Sequence, residues 1–123
     1  MTDPTNLIDS PQRAAVMAHA WLRLAPQSAP LFWQSATEPF LAALLFAACP
    51  QDTGLGIEWV YEVVSASGGR SLYEAAVAAG SDGAVAAVLR GFDQMEVHHR
   101  QGLVDTMRHA VHPWLNPAVV QVS

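Results

Sequence analysis

The longest apolar stretch of the chain is Phe40–Cys49, which contains no polar side chain. At helical pitch these residues would be apolar on every side, which is typical of a helix buried all round or placed in a membrane. The stretch is shorter than the roughly 20 apolar residues that cross a bilayer. We therefore predict an all-α fold, a compact bundle of about five to seven helices around this central helix.

Apolar residues at helical spacing, together with capping signals, predict the helices along the chain. Ser71 and Asp82 are each expected to cap the helix that follows. We predict helices over residues 11–24, 31–48 with a kink at Pro39, 57–65, 71–79, 83–94 and 96–114. These helices form a single domain over residues 1–123, with irregular connecting ends at 1–9 and 116–123. Within the last segment, residues 119–122 alternate enough to suggest a short strand completed from outside this chain.

Several side chains are expected inside the bundle because of their size or their register. Bulky Leu31, Phe32 and Trp33 open the second helix and are expected to be buried. The four tryptophans are expected to pack between helices. The apolar side of the fifth helix is predicted to comprise Val85, Val88, Leu89 and Phe92, and that of the last helix Leu103, Met107, Ala110, Val111 and Trp114.

The composition limits the classes of function. Charged residues make up only 14% of the chain, which suggests either a surface partly covered by a partner or a plain alanine-rich bundle. The net charge is −5 and every basic residue apart from histidine is an arginine. An acidic domain is a poor autonomous DNA binder, and a chain without lysine has no P-loop lysine for nucleotide binding. Four of the six arginines lie in the second half of the chain, so an anionic partner is expected to bind there. They are Arg70, Arg90, Arg100 and Arg108.

No combination of residues predicts catalysis, a metal or a cofactor. His109 and His112 could share a metal, but a zinc site needs three or four ligands, and His98 is too far along the helix. Cys49 is expected to be buried and structural. It is the single cysteine of the sequence, so no internal disulfide is possible, which fits a reducing compartment. Glu58 and Glu62 are four residues apart on a helix, where such pairs usually face solvent. The polar, acidic N-terminus predicts no signal peptide.

A family resemblance extends over nearly the whole chain. Phe32-Trp33-Gln34 leads into the leucine- and alanine-rich residues 40–48, Ile57-Glu-Trp-Val-Tyr follows, and residues 102–118 include Pro113-Trp114 and Asn116-Pro117. This order resembles the all-alpha domain of type IV coupling proteins, the TraD/TraG-type conjugation ATPases, in their actinobacterial form. The opening Asp3-Pro-Thr-Asn-Leu is similar to the segment that enters this insert domain. Pro39 and the long loop 51–56 depart from the family pattern.

The resemblance implies a substrate-recognition module rather than an enzyme. In the family, this domain is inserted into a RecA-like ATPase and helps select the relaxase or other secreted proteins for translocation. The ATPase and its membrane anchor would lie outside this chain, which would place the domain at the cytoplasmic face of the inner membrane without membrane contact of its own. The implied partners are the relaxase or secreted effectors and the rest of the ATPase, with DNA as a weaker alternative.

Polar residues away from the predicted core stripes are the candidates for partner binding. They are Glu58, Glu62, Arg90, Glu96, His98, Arg100, Asp105 and Arg108. Three other readings remain open: a nucleic-acid-binding domain that uses the arginines, a small helical enzyme or metal protein built on the histidine-bearing last helix, and a domain that only packs inside the ATPase hexamer.

Overall fold

The structure is a computed structural model that describes residues 3–24, 31–66 and 71–115. In these ranges every regular element is helical, so the predicted all-α bundle is confirmed. Six α-helices are flanked by two short 3-10 turns, Pro4–Leu7 and His112–Trp114. The helices are α1 Pro11–Leu24, α2 Leu31–Ala48, α3 Gly56–Ala66, α4 Leu72–Ala78, α5 Gly83–Asp93 and α6 Val97–Val111.

Helix α2 is the centre of the bundle. It packs against α1, α3, α5 and α6. Leu41, Leu44 and Leu45 in its second half are fully buried, as are Ala47, Ala48 and the thiol-bearing Cys49 that follows. Burial on several sides is what an all-apolar helix requires, because each exposed face would leave apolar surface in water.

Helix α2 also meets, by length and composition alone, the requirements for a membrane span, and it is the one helix to do so among the described residues. The core helix of a soluble protein meets the same requirements, so the finding is weak evidence in either direction. The cytoplasmic location therefore stays a prediction.

Three aspartates hold the starts of helices that are distant from them in sequence. The first N–H groups of a helix have no partner inside it, so a carboxylate placed there is stabilising. Asp3 accepts hydrogen bonds from the N–H of Ile57, Asp52 from the N–H of Asp82 and the hydroxyl of Ser81, and Asp93 from the N–H groups of Leu72 and Tyr73. These bonds fix the starts of α3, α4 and α5 to other parts of the bundle.

The start of α2 corrects one prediction about the core. Leu31 and Phe32 are 64% and 63% exposed instead of buried. Successive residues of a helix are rotated by about 100°, and of Leu31, Phe32 and Trp33 it is Trp33 whose side chain packs against the core. Its ring atoms lie 2.8 Å from where a Cβ of Gly102 would be, so α2 and α6 meet closely at this glycine.

The chain ends also differ from expectation. The predicted irregular segment 1–9 contains the first 3-10 turn, and Thr5 and Ile8 within it are buried. Helix α6 ends at Val111, before the predicted Trp114, because Pro113 lacks the N–H that would continue it. The indole of Trp114 stacks on that of Trp21 at a centroid distance of 5.0 Å. The predicted strand at 119–122 lies outside the described residues.

Candidate functional site

An open groove of about 380 Å³ lies where α1, α2 and α5 meet. Its lining is almost entirely apolar. The lining residues are Pro11 of α1, Pro39, Ala42, Ala43 and Phe46 of α2, and Asp82, Ala84, Val85 and Val88 at and within α5. A concave apolar surface with a single charged group has the general character of a binding site.

Small side chains and exposed prolines shape the groove. Ala42, Ala43 and Ala84 leave room that larger residues at these positions would fill, while Phe46 contributes bulky apolar surface.

Helix α2 continues through Pro39, so the prediction of one helix over 31–48 is confirmed. Val88 was predicted on the buried side of α5 but is 41% exposed, because the groove leaves part of its side chain uncovered.

Among the described residues, Asp82 is the one charged residue that lines the groove. As predicted, it caps α5: its Oδ1 accepts a hydrogen bond from the N–H of Ala84 at 2.7 Å. Its own N–H donates to both carboxylate oxygens of Asp52, at 3.1 and 3.2 Å. The second oxygen of Asp82 accepts no hydrogen bond in the described part of the chain and is available to a ligand.

The predicted partner-binding residues lie elsewhere, on α3, α5 and α6, and none of them lines the groove. Arg100 and Arg108 are half-buried, and the other six, Glu58, Glu62, Arg90, Glu96, His98 and Asp105, are exposed. The structure therefore leaves most of them accessible without joining them into one concave site. Their role in binding stays a prediction.

Of the three second-half arginines that the structure describes, Arg90 and Arg108 are engaged within the domain. Arg90 donates a hydrogen bond to the Tyr73 hydroxyl at 2.7 Å and lies 4.6 Å from the centre of its ring. Arg108 forms an ion pair with Asp105 at 2.8 Å. Arg100 was predicted to lie away from the buried side of the last helix. It is, however, three residues before buried Leu103 and seven before buried Met107, which places it on the same side. Its Nε is buried and has no hydrogen-bond partner among the described residues.

Glu96 has a structural role that the sequence did not reveal. Its carboxylate caps α6 by accepting hydrogen bonds from the N–H groups of His98 and His99 at 3.1 and 3.2 Å. The hydrogen bond from the N–H of His98 contributes most to lowering the pKa of Glu96 below its ordinary value of 4.5. The N–H of His99 and the two nearby imidazoles act in the same direction.

A polar cluster joins α1 and α2 on another surface. Nδ1 of His19 lies 2.7 Å from Oε1 of Glu38, and Nε of Arg23 donates to Nε2 of His19 at 2.9 Å. Because Nε2 accepts, the neutral ring carries its proton on Nδ1 and donates it to Glu38. Sequence spacing gave no signal for this cluster, since Glu38 comes from a different helix.

A second apolar surface surrounds the start of α2. The ring of Phe32 meets those of Trp33 and His99 edge-on, at centroid distances of 5.3 and 6.3 Å. Leu31 and Phe32 line a shallow hollow with Ser35 and Ala36.

The described residues contain no group of three or more histidine, cysteine or acidic side chains that could hold a metal ion. In comparisons with known proteins, no protein-family model, curated protein or solved structure matches this chain. The resemblance to coupling proteins therefore rests on the sequence motifs alone.

Proposed function

We propose that this chain is a recognition module that binds a protein partner and performs no catalysis itself. The observation that carries the proposal is the open apolar groove formed by α1, α2 and α5. Exposed apolar concavities of this kind bind protein segments because docking removes apolar surface from water. The exposed Leu31 and Phe32 add a second apolar surface on the same domain.

In its specific form, the proposal is that the domain selects substrates for a type IV secretion or conjugation coupling ATPase. The supporting observations are the order of sequence motifs and the helical bundle built around α2. The partner would then be the relaxase or another secreted protein, which the domain would deliver to the ATPase at the cytoplasmic face of the membrane.

Among the described arginines of the second half, the contacts of Arg90 and Arg108 argue against the nucleic-acid alternative. Binding to the phosphate backbone needs accessible cations, but the charge of Arg108 is paired with Asp105 and the Arg90 side chain is held against Tyr73. Arg100 is half-buried. Nonspecific DNA binding, if it occurred, would fall steeply with rising salt concentration, which provides a simple test.

A pull-down with the purified domain from lysate of its own host, with and without nuclease, tests the proposal. We expect mass spectrometry to identify a relaxase or secreted protein that is retained after nuclease treatment, because protein contacts do not depend on DNA. Charge reversal at Arg100 and Arg108 tests the face chosen from the sequence, and unchanged binding would exclude that face.

Loss of every partner on nuclease treatment would contradict the proposal and support the DNA-binding alternative. Retention of the ATPase alone would instead support a role in packing the hexamer.

A further inference from the structure

We propose that the groove between α1, α2 and α5 binds an amphipathic helix of the partner protein, one that carries a lysine or arginine beside its apolar face. This inference deepens the proposed function and rests on it, since it names the chemistry of the bound segment.

The groove lining matches the apolar face of the proposed helix. Eight of the nine lining residues are proline, alanine, phenylalanine or valine. An amphipathic helix lays bulky apolar side chains into such a groove, and the small Ala42, Ala43 and Ala84 give those side chains room. The groove is open to solvent and is bounded by residues of three helices.

The charges around the groove match the lysine or arginine of the proposed helix. Asp82 is the charged group of the lining, and its second carboxylate oxygen is available. Exposed Asp9 lies two residues before Pro11 and adds negative charge at the start of α1. Exposed Arg13 is two residues beyond Pro11, which places it about 200° around the helix from that lining residue. The field at the groove therefore favours a cation.

The hydrogen-bonding character of the groove agrees with its charge. Pro11 and Pro39 have no backbone N–H, and no lining side chain is a donor when Asp82 is ionised. The start of α5, where an anion would otherwise bind, is already occupied by the Asp82 carboxylate. The Asp82 carboxylate would repel an anionic segment, whereas a donor-bearing segment would donate to its second oxygen.

Two synthetic helical peptides provide the probe, one built from leucine and lysine and one from leucine and glutamate on the same pattern. We expect the leucine–lysine peptide to shift the NMR amide signals of Ala42, Phe46 and Val88, and the leucine–glutamate peptide to bind more weakly. Equal binding of the two peptides, or shifts confined to other surfaces, would overturn the inference.

Asp82→Asn separates the charge of this residue from its capping role, because asparagine caps helices as well as aspartate does. We expect the dissociation constant of the leucine–lysine peptide to rise about two- to fivefold, the range for one exposed ion pair. Glu74→Gln, which neutralises an exposed carboxylate outside the groove, is the control and should leave the constant unchanged. No difference between the two variants would contradict the charge argument.

Val88→Lys and Val88→Glu form a matched pair at a half-exposed lining position. Both remove the same apolar side chain, but only lysine repels the cationic peptide, so we expect Val88→Lys to weaken binding more. Equal weakening would mean that apolar contact alone governs the site and would overturn the cationic half.

The peptide and lysate experiments can fail separately. If a host protein is retained equally by wild type and Val88→Lys, recognition stands and the groove inference falls. If the peptides bind as expected but the lysate yields no protein partner, the groove chemistry stands and the proposed function falls.

Discussion

At the scale of single residues, the start of α3 depends on a contact with Asp3 that could not be predicted from the sequence. Gly56 has a φ of 85°, a left-handed conformation that glycine adopts without a Cβ penalty. A Cβ at this position would lie 2.5 Å from Oδ2 of Asp3, the carboxylate that accepts the N–H of Ile57. Local caps such as Ser71 and Asp82 could be predicted from short motifs. Asp3 could not, because its partner lies 54 positions further along the chain.

Gly56→Ala should therefore destabilise the domain more than Gly80→Ala does. Gly80 has nearly the same conformation, with a φ of 82°, but nothing lies within 4 Å of its added Cβ. The left-handed conformation alone costs roughly 1–2 kcal/mol for a residue with a Cβ, and Gly56→Ala adds displacement of the Asp3 carboxylate. Urea unfolding of both variants measures the difference. Equal losses of unfolding free energy would show that the Asp3 contact contributes nothing.

At the scale of the helices, the bounds of α1 and α2 were predicted from periodicity and proline positions, because both signals are local. The exposure of Leu31 and Phe32 was not, because it depends on which neighbours cover the first turn of α2. Glu96 was assigned to partner binding from its polarity, whereas the structure also makes it the cap of α6. Polarity alone does not distinguish a capping carboxylate from a free one.

The capping role of Glu96 predicts a pH dependence of stability. The pKa of its carboxyl is lowered in the folded state, so its contribution is present above the ordinary value of 4.5 and is lost as the pH falls through the folded-state value. Glu96→Gln removes the ionisation, so we expect the variant to be less stable than wild type at about pH 7 and the difference to shrink at about pH 3. Urea unfolding at both values measures this. A difference independent of pH would contradict the role of the carboxylate charge.

At the scale of the whole molecule, the sequence predicted the helical class and the central position of α2, since an all-apolar helix has to be covered. It did not predict the groove, because Pro11, Pro39 and Val88 come from three helices and meet only in the folded bundle. Pro39 departs from the family pattern, and in the structure it is exposed and lines the groove.

The central claim is that a protein partner occupies this groove, and site-specific photo-crosslinking in the host tests it most directly. A benzophenone amino acid at Val88 would report on the groove, and the same residue at exposed Glu74 would serve as the control. We predict a discrete protein adduct from position 88 that is absent from position 74. No adduct at position 88, or the same adducts from both positions, would contradict recognition through the groove.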